Sequence, residues 1–318
     1  MTGRGKVGDV TFRFSSVLYE NRYCSQKEHD IIFLKSPMER HPNEVIKFVR
    51  PYHTKIQKLS SMLRPQTNIL RAVVGTDIYV TNEDGEVPYR LERCIRTCEV
   101  YSQKHNSWSK LAGFEERIGS LNICSFMQQV IFVGEIPFGD SKFKSKCVKY
   151  DPKHGKWSLM GQTNKCRRSA SCAVFEGKVV ISGGIHDFDL YDFKFEKSVE
   201  AYDYYENKWI YLPDMIKERW NHATVCMGNR MFMIGGNKTD SCEVFDSFSR
   251  KFASVQKLPK YIGKTDFAKR TICVGNKILV FHDTYFESNL SAYDIETGDW
   301  KHEKIDLSTH ACVKVPSV

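Results

Sequence analysis

The residues of this 318-residue chain best suited to chemistry are eleven cysteines, ten histidines and a series of arginines and aspartates that recur along it. Thiolates and imidazoles at finger-like spacing would bind zinc, and histidines converging with tyrosines would hold copper. Neither arrangement is spelled out. Cys94 and Cys98 form the one close cysteine pair, with no nearby pair of histidines to complete four ligands. His53, His105, His154, His186, His222 and His282 fall at unrelated positions, mostly in stretches that read as turns or loops, and are expected at the surface. There is no G-x-S-x-G elbow, glycine-rich phosphate loop or H-E-x-x-H motif. Asp151, Asp203, Asp246 and Asp294 each follow an aromatic at a recurring place, as turn formers would, and carboxylates that repeat with a fold are poor candidates for one acid–base pair. The sequence therefore predicts no enzyme, no cofactor and no metal.

The cysteines follow the same recurrence. Cys98, Cys147 and Cys242 each lie three residues before an aromatic, and Cys124, Cys172, Cys226, Cys273 and Cys312 fall in short apolar runs such as ICSF and SCAVF. Cysteine used this way is a small buried residue of a strand, with a free thiol.

The elements behind these positions are short strands in repeating units. From Ser169 to Leu212 the chain reads SASCAVFEGKVVISGG, a polar loop, then SVEAYDYYENKWIYL. Two apolar runs are joined by Glu176-Gly177, the spacing of a tight hairpin, and two more strands follow. The next unit repeats this grammar, with Gly228-Asn229 at the turn and Gly235-Gly236 in the place of Gly183-Gly184. Tyr101 and Trp108, Tyr150 and Trp157, Tyr202 and Trp209, Phe245 and Phe252, and Tyr293 and Trp300 all stand seven residues apart across a polar turn. A degraded copy upstream sets Val49 seven before Ile56, with IIFLKS (Ile31 to Ser36) as its second strand. A period of this length belongs to propellers and arrays.

The double glycine followed by Tyr and Trp resembles the Kelch repeat, and the arrangement is similar to the Kelch half of BTB-BACK-Kelch proteins. The resemblance implies an all-β, six-bladed propeller with four-stranded blades. The repeats run at about 28–63, 64–113, 114–162, 163–215, 216–259 and 260–307. The orphan strand in 308–318, STHACVKV, is expected to close the ring beside IIFLKS. Only two units keep both glycines; Gly134-Glu135, Asn82-Glu83, His282-Asp283 and Lys35-Ser36 hold the place elsewhere. Residues 1–27 match no blade. Within them GDVTFRF, Gly8 to Phe14, resembles the opening strand of a BTB domain, so this leader is read as the remnant of one.

Two features are candidates for recognition. Arg168 and Arg219 each lie nine residues before a hairpin glycine, with Arg64 and Arg117 nearby in their own repeats. In the Kelch family such arginines often reach the partner-binding face, where a guanidinium fork suits carboxylates; alternatively they pair with neighbouring acids. The second is the loop IHDFDLYDFKFEK, whose Asp187, Phe188, Asp189 and Tyr191 alternate acid and aromatic as interfaces favour, unless it folds back on its own blade.

Bulk composition fits a binder. Hydrophobic residues at 41% suffice for a core, while 47 basic against 38 acidic residues leave a scattered net charge of +9 that suits acidic peptide segments rather than nucleic acid. No apolar run spans a bilayer and no signal core opens the chain, so a soluble cytoplasmic protein is expected. The family resemblance implies a protein partner presented to a cullin-type ubiquitin ligase; the alternative is binding to actin filaments.

Overall fold

A computed structural model describes residues 4–7, 10–13, 29–34, 45–49, 55–64, 69–82, 98–111, 118–138, 142–189, 192–237, 239–260, 270–283, 288–305 and 311–316. Its strands begin with a hairpin of β1 (Arg4–Val7) and β2 (Val10–Arg13), followed by β3 (His29–Leu34), β4 (Val45–Val49) and β5 (Lys55–Leu59). Next come β6 (Ile69–Val74), β7 (Asp77–Asn82), β8 (Glu99–Ser102) and β9 (Ser107–Lys110), then β10 (Gly119–Phe126), β11 (Gln129–Phe138), β12 (Lys142–Asp151) and β13 (Lys156–Leu159). The central unit holds β14 (Ser171–Phe175), β15 (Lys178–Ser182), β16 (Ile185–Asp189), β17 (Asp192–Phe195), β18 (Val199–Asp203) and β19 (Lys208–Leu212). After it run β20 (Ala223–Met227), β21 (Arg230–Ile234), β22 (Cys242–Asp246) and β23 (Lys251–Val255), then β24 (Thr271–Val274), β25 (Lys277–Asp283), β26 (Ser288–Asp294), β27 (Trp300–Ile305) and finally β28 (Ala311–Pro316).

The protein is an all-β propeller of four-stranded antiparallel blades. Five sheets take their strands from one stretch of chain each: β6 to β9, β10 to β13, β14-β15-β18-β19, β20 to β23 and β24 to β27. A further four-stranded sheet is composite, in the order β28-β3-β4-β5, with Cys312 opposite Phe33 and Val313 opposite Ile32. β10 lies beside both β6 and β14, β14 beside β20, and β20 beside β24, so the first strands of successive sheets are neighbours; β28 lies beside β24 and β6. The leader hairpin pairs Val7 with Val10, and β1 lies beside β5.

The aromatic spacing has a direct structural meaning. Tyr101 faces Trp108 across two antiparallel strands, as do Tyr150 and Trp157, Tyr202 and Trp209, Phe245 and Phe252, and Tyr293 and Trp300. Their ring centroids are 5.0 to 5.5 Å apart, the tilted packing aromatic pairs prefer. The upstream copy differs. Its cross-strand partners are Phe48 and Ile56, while Val49 faces Lys55, so the expected pairing of Val49 with Ile56 is corrected by one residue. Five residues separate the paired Val49 and Lys55, one more than the four that fix the spacing of seven elsewhere.

Blades are joined by apolar wedges. One gathers Cys124, Ile131, Val133, Cys147 and Met160 from one sheet with Ala170, Val179, Ile181, Tyr202 and Trp209 from the next. Another joins Ile32, Leu34 and Val45 of the composite sheet to Ile69, Ile78 and Tyr101. The tryptophans add a polar stitch, since Nε1–H of Trp108 donates to Ser60 O (2.9 Å), that of Trp209 to Gly161 O (2.8 Å) and that of Trp300 to Gln256 O (3.3 Å), each in the preceding blade. Asn106 and Asn207, both at positive φ, accept the Tyr101 and Tyr202 hydroxyls and also the backbone N–H of Ser60 and Gly161. The aspartates are turn formers as expected, for Oδ1 of Asp151, Asp203, Asp246 and Asp294 accepts backbone N–H bonds from residues two or three further on. The backbone N–H of Glu206 and of Ser249 holds the carboxyls of Asp203 and Asp246 below their ordinary range; at Asp151 the bond to His154 does so.

Candidate interaction face

Because strands alternate in direction, the loops after each second strand and the connections between blades emerge on one face. The central blade raises a second hairpin there. β16 pairs with β17 from Ile185 opposite Phe195 to Asp189 opposite Asp192, with an irregularity between His186 and Phe188. The chain enters it through Gly183 and Gly184, at φ 60 and 98. A Cβ on Gly183 would stand 2.3 Å from the Arg219 carbonyl, and that same carbonyl accepts the Gly184 N–H at 2.8 Å. The double glycine thus lets the hairpin leave its blade in contact with the next one.

The base of the hairpin is fastened from several sides. The Phe195 ring stacks on Trp220 of the next blade, with centroids 4.0 Å apart and planes within 10°. Lys165 Nζ lies 2.9 Å from both carboxylate oxygens of Glu196, and the Ser198 hydroxyl donates to Glu196 Oε2. Burial pushes the Glu196 pKa up, but these two bonds hold it below its ordinary value, so its carboxylate is ionised at neutral pH. Backbone bonds between Arg168 and Ile185 complete the anchorage. Of the loop residues singled out in the sequence, Asp187, Phe188 and Asp189 belong to β16, and Tyr191 lies outside the described residues.

The arginines divide. Arg64 is exposed, and Arg117 lies outside the described residues. Arg168 is one-quarter exposed and donates from Nε (3.1 Å) and Nη2 (2.7 Å) to Glu135 Oε1 of the preceding blade. Arg219 is fully buried, which corrects the expectation that it meets a partner. Its Nε and Nη2 bond Glu243 Oε1 at 3.1 and 2.6 Å, Nη1 bonds the Gly235 and Ser241 carbonyls, and Nη2 bonds the Ser241 hydroxyl. Five donors are consumed inside one blade, leaving none to offer.

Arg167, which the spacing argument passed over, repeats this network atom for atom with Glu200, Gly183 and Ser198. Arg167 is therefore the counterpart of Arg219, and Arg168 that of Trp220. The signal was present as Ser198-x-Glu200-x-Tyr202 and Ser241-x-Glu243-x-Phe245. Glu200 and Glu243 also accept backbone N–H bonds from the connections that enter their blades, at Asn164 and Ile216, and Glu99 does the same for Leu63. His222 and His282, expected at the surface, are buried as well. His222 shares a bond with the Ser182 hydroxyl of the preceding blade, and burial, then the Arg219 and Arg167 charges, push its pKa down to about 3.

The opposite face carries what the sequence did not flag. Tyr205 (95% exposed), Phe248 (85%) and Met127 (63%) project from the turns β18–β19, β22–β23 and β10–β11.

The repeated Arg–Glu–Ser network, the double glycine and the paired Tyr and Trp coincide in one stretch, and residues 166–216 match the Kelch motif. The fold is a Kelch-repeat propeller. The chain is 28% identical over 115 residues to Kelch-like protein 35 of Mus musculus, a match covering 35% of this chain and 18% of that protein, so it spans well under a quarter of the length of this relative. The solved structure of YjhT superimposes with a TM-score of 0.61 at 13% identity, covering 76% of this chain and 85% of the other, a likeness of fold. Among the described residues of this Kelch propeller no helix is long and apolar enough to cross a membrane.

Proposed function

We propose that this chain is a six-bladed Kelch propeller, closed by β28, that acts as a protein-interaction module without a reaction of its own. It recognises a cytoplasmic protein partner as the substrate-adaptor part of a cullin-type ubiquitin ligase. Kelch repeats support the binding role, and the resemblance to BTB-BACK-Kelch proteins supports the adaptor role. The observation that carries the reading is the β16–β17 hairpin, fastened at its base by the Phe195–Trp220 stack and the Lys165–Glu196 pair. A fixed base lowers the ordering cost when the hairpin meets a partner. Arg64 and the exposed quarter of Arg168 lie on connections of the same face and suit acidic segments of the partner.

The test is proximity labelling in cells with the chain and with a variant whose residues 187–191 are replaced by Gly and Ser. The variant is expected to keep its melting temperature and lose the partner, with a cullin among the proteins labelled by the unaltered chain. An unchanged set of labelled proteins overturns the hairpin as the contact. Actin in place of a cullin, with co-sedimentation of the purified chain on filaments, overturns the adaptor reading in favour of a cytoskeletal one.

A further inference from the structure

Cys124 of β10 and Cys172 of β14 stand on neighbouring strands of two blades, and the Cys172 thiol donates a hydrogen bond to the Cys124 sulfur at 3.3 Å. Both are free cysteines, separated by 48 positions in the chain. They also line a cavity of about 370 Å³ between the inner strands, bounded further by Arg71, Asn122, Thr224 and Thr271. Wedge packing accounts for a cysteine on either side of a seam, but it does not require two sulfurs in contact on the wall of a cavity. We infer that Cys124 and Cys172 are an oxidisable dithiol that a small disulfide entering this cavity converts into a covalent bond between the blade of β10 to β13 and the blade of β14-β15-β18-β19.

The hydrogen bond assigns the order of events. The Cys124 sulfur accepts the bond, so the attack is assigned to Cys124 and the resolving step to Cys172. The bond to Cys124, then burial, holds the Cys172 pKa well above the ordinary thiol range, which keeps its proton in place while Cys124 attacks. Cys124 attacks one sulfur of the small disulfide and forms a mixed disulfide, its own proton passing to the small thiol that is displaced. Cys172 then attacks the Cys124 sulfur and releases the second small thiol, its proton passing to that leaving group. Two protein thiols lose two electrons in total, and one small disulfide is reduced to two thiols. Adjacent strands and touching sulfurs place the two thiols side by side for the closing step.

The experiment incubates the folded chain with hydroxyethyl disulfide below its melting temperature, followed by non-reducing peptide mapping. The expected product is a Cys124–Cys172 linked peptide two hydrogens lighter than the separate peptides, with no adduct retained on either residue. Cys172→Ser is expected to trap the adduct on Cys124, and Cys124→Ser is expected to leave Cys172 at least tenfold slower to react. Stable adducts on both cysteines of the unaltered chain, no reaction of either, or a link from Cys172 to Cys226, whose thiol lies near enough to feel its charge, would overturn the inference.

Discussion

Trp209 donates its indole N–H across a blade seam to the carbonyl of Gly161, 2.8 Å away, while its ring lies 5.5 Å from Tyr202 in its own blade. One side chain thus fills a wedge and ties it. Trp209→Ala is expected to destabilise the protein by about 3–5 kcal/mol in denaturant unfolding, because the cavity cannot collapse between two rigid sheets. Trp209→Phe keeps most of the packing and loses the bond, so its cost should be clearly smaller. Trp157 is only half-buried, and Trp157→Ala should fall between the two. Equal and negligible effects for all three would contradict the wedge.

Arg219 and Arg168 should separate by stability. Arg219→Ala leaves Glu243 buried without its cation and is expected to cost about 3–5 kcal/mol. Arg168 is one-quarter exposed but its partner Glu135 is buried, so Arg168→Ala should cost less than Arg219→Ala, about 1–3 kcal/mol. Adding Glu243→Leu to Arg219→Met tests the cause, since replacing both charges by apolar groups should recover part of the loss. Chemical denaturation of the set is the measurement.

His222 gives the protein an acid-sensitive limb. Its folded pKa of about 3 lies below the unfolded value of about 6.5, so the unfolded chain takes up a proton first as pH falls. Stability from this site is unaffected above pH 6.5 and declines between there and pH 3. The loss at pH 5 is about 2 kcal/mol. His222→Asn should flatten this part of the stability profile; an unchanged slope between pH 6.5 and 5 would place the effect elsewhere.

Cys98, Cys147 and Cys242 should resist alkylation in the native state. Burial pushes their thiols up to about 12, 12 and 11, which leaves almost no thiolate at pH 8. Iodoacetamide labelling followed by peptide mapping should show these three reacting only after denaturation. Prompt labelling of any of them in the folded protein would show that its strand opens.

The strand pairs were legible because a spacing of seven across a four-residue turn makes two residues direct cross-strand partners, and five aromatic pairs keep it. Register near the hairpin glycines was not. Glu176 and Gly177 are both at positive φ, with glycine second, whereas Gly228 is first in its turn and alone at positive φ. These are the two hairpin turn types, and each puts glycine in a different place. Counting back from the glycine therefore landed on Arg168 where the buried partner is Arg167. The upstream copy misled for a related reason, one more residue between its paired strands at Val49 and Lys55. The burial of His222 and the exposure of Tyr205 and Phe248 left no trace in residue type, because both depend on what the neighbouring blade brings against the position.

The pairing of β28 with β3 orders events during synthesis. β3, β4 and β5 emerge from the ribosome early, yet the strand that completes their sheet is translated more than 260 residues after β4 begins. Until then the edge of β3 that β28 will cover is an unpaired ladder, the kind of surface that recruits strands from other chains. The nascent protein has to be shielded at that edge while the intervening blades are made. A cell short of chaperones should for that reason lose this protein at β3, although the pairing that rescues it is made only by β28.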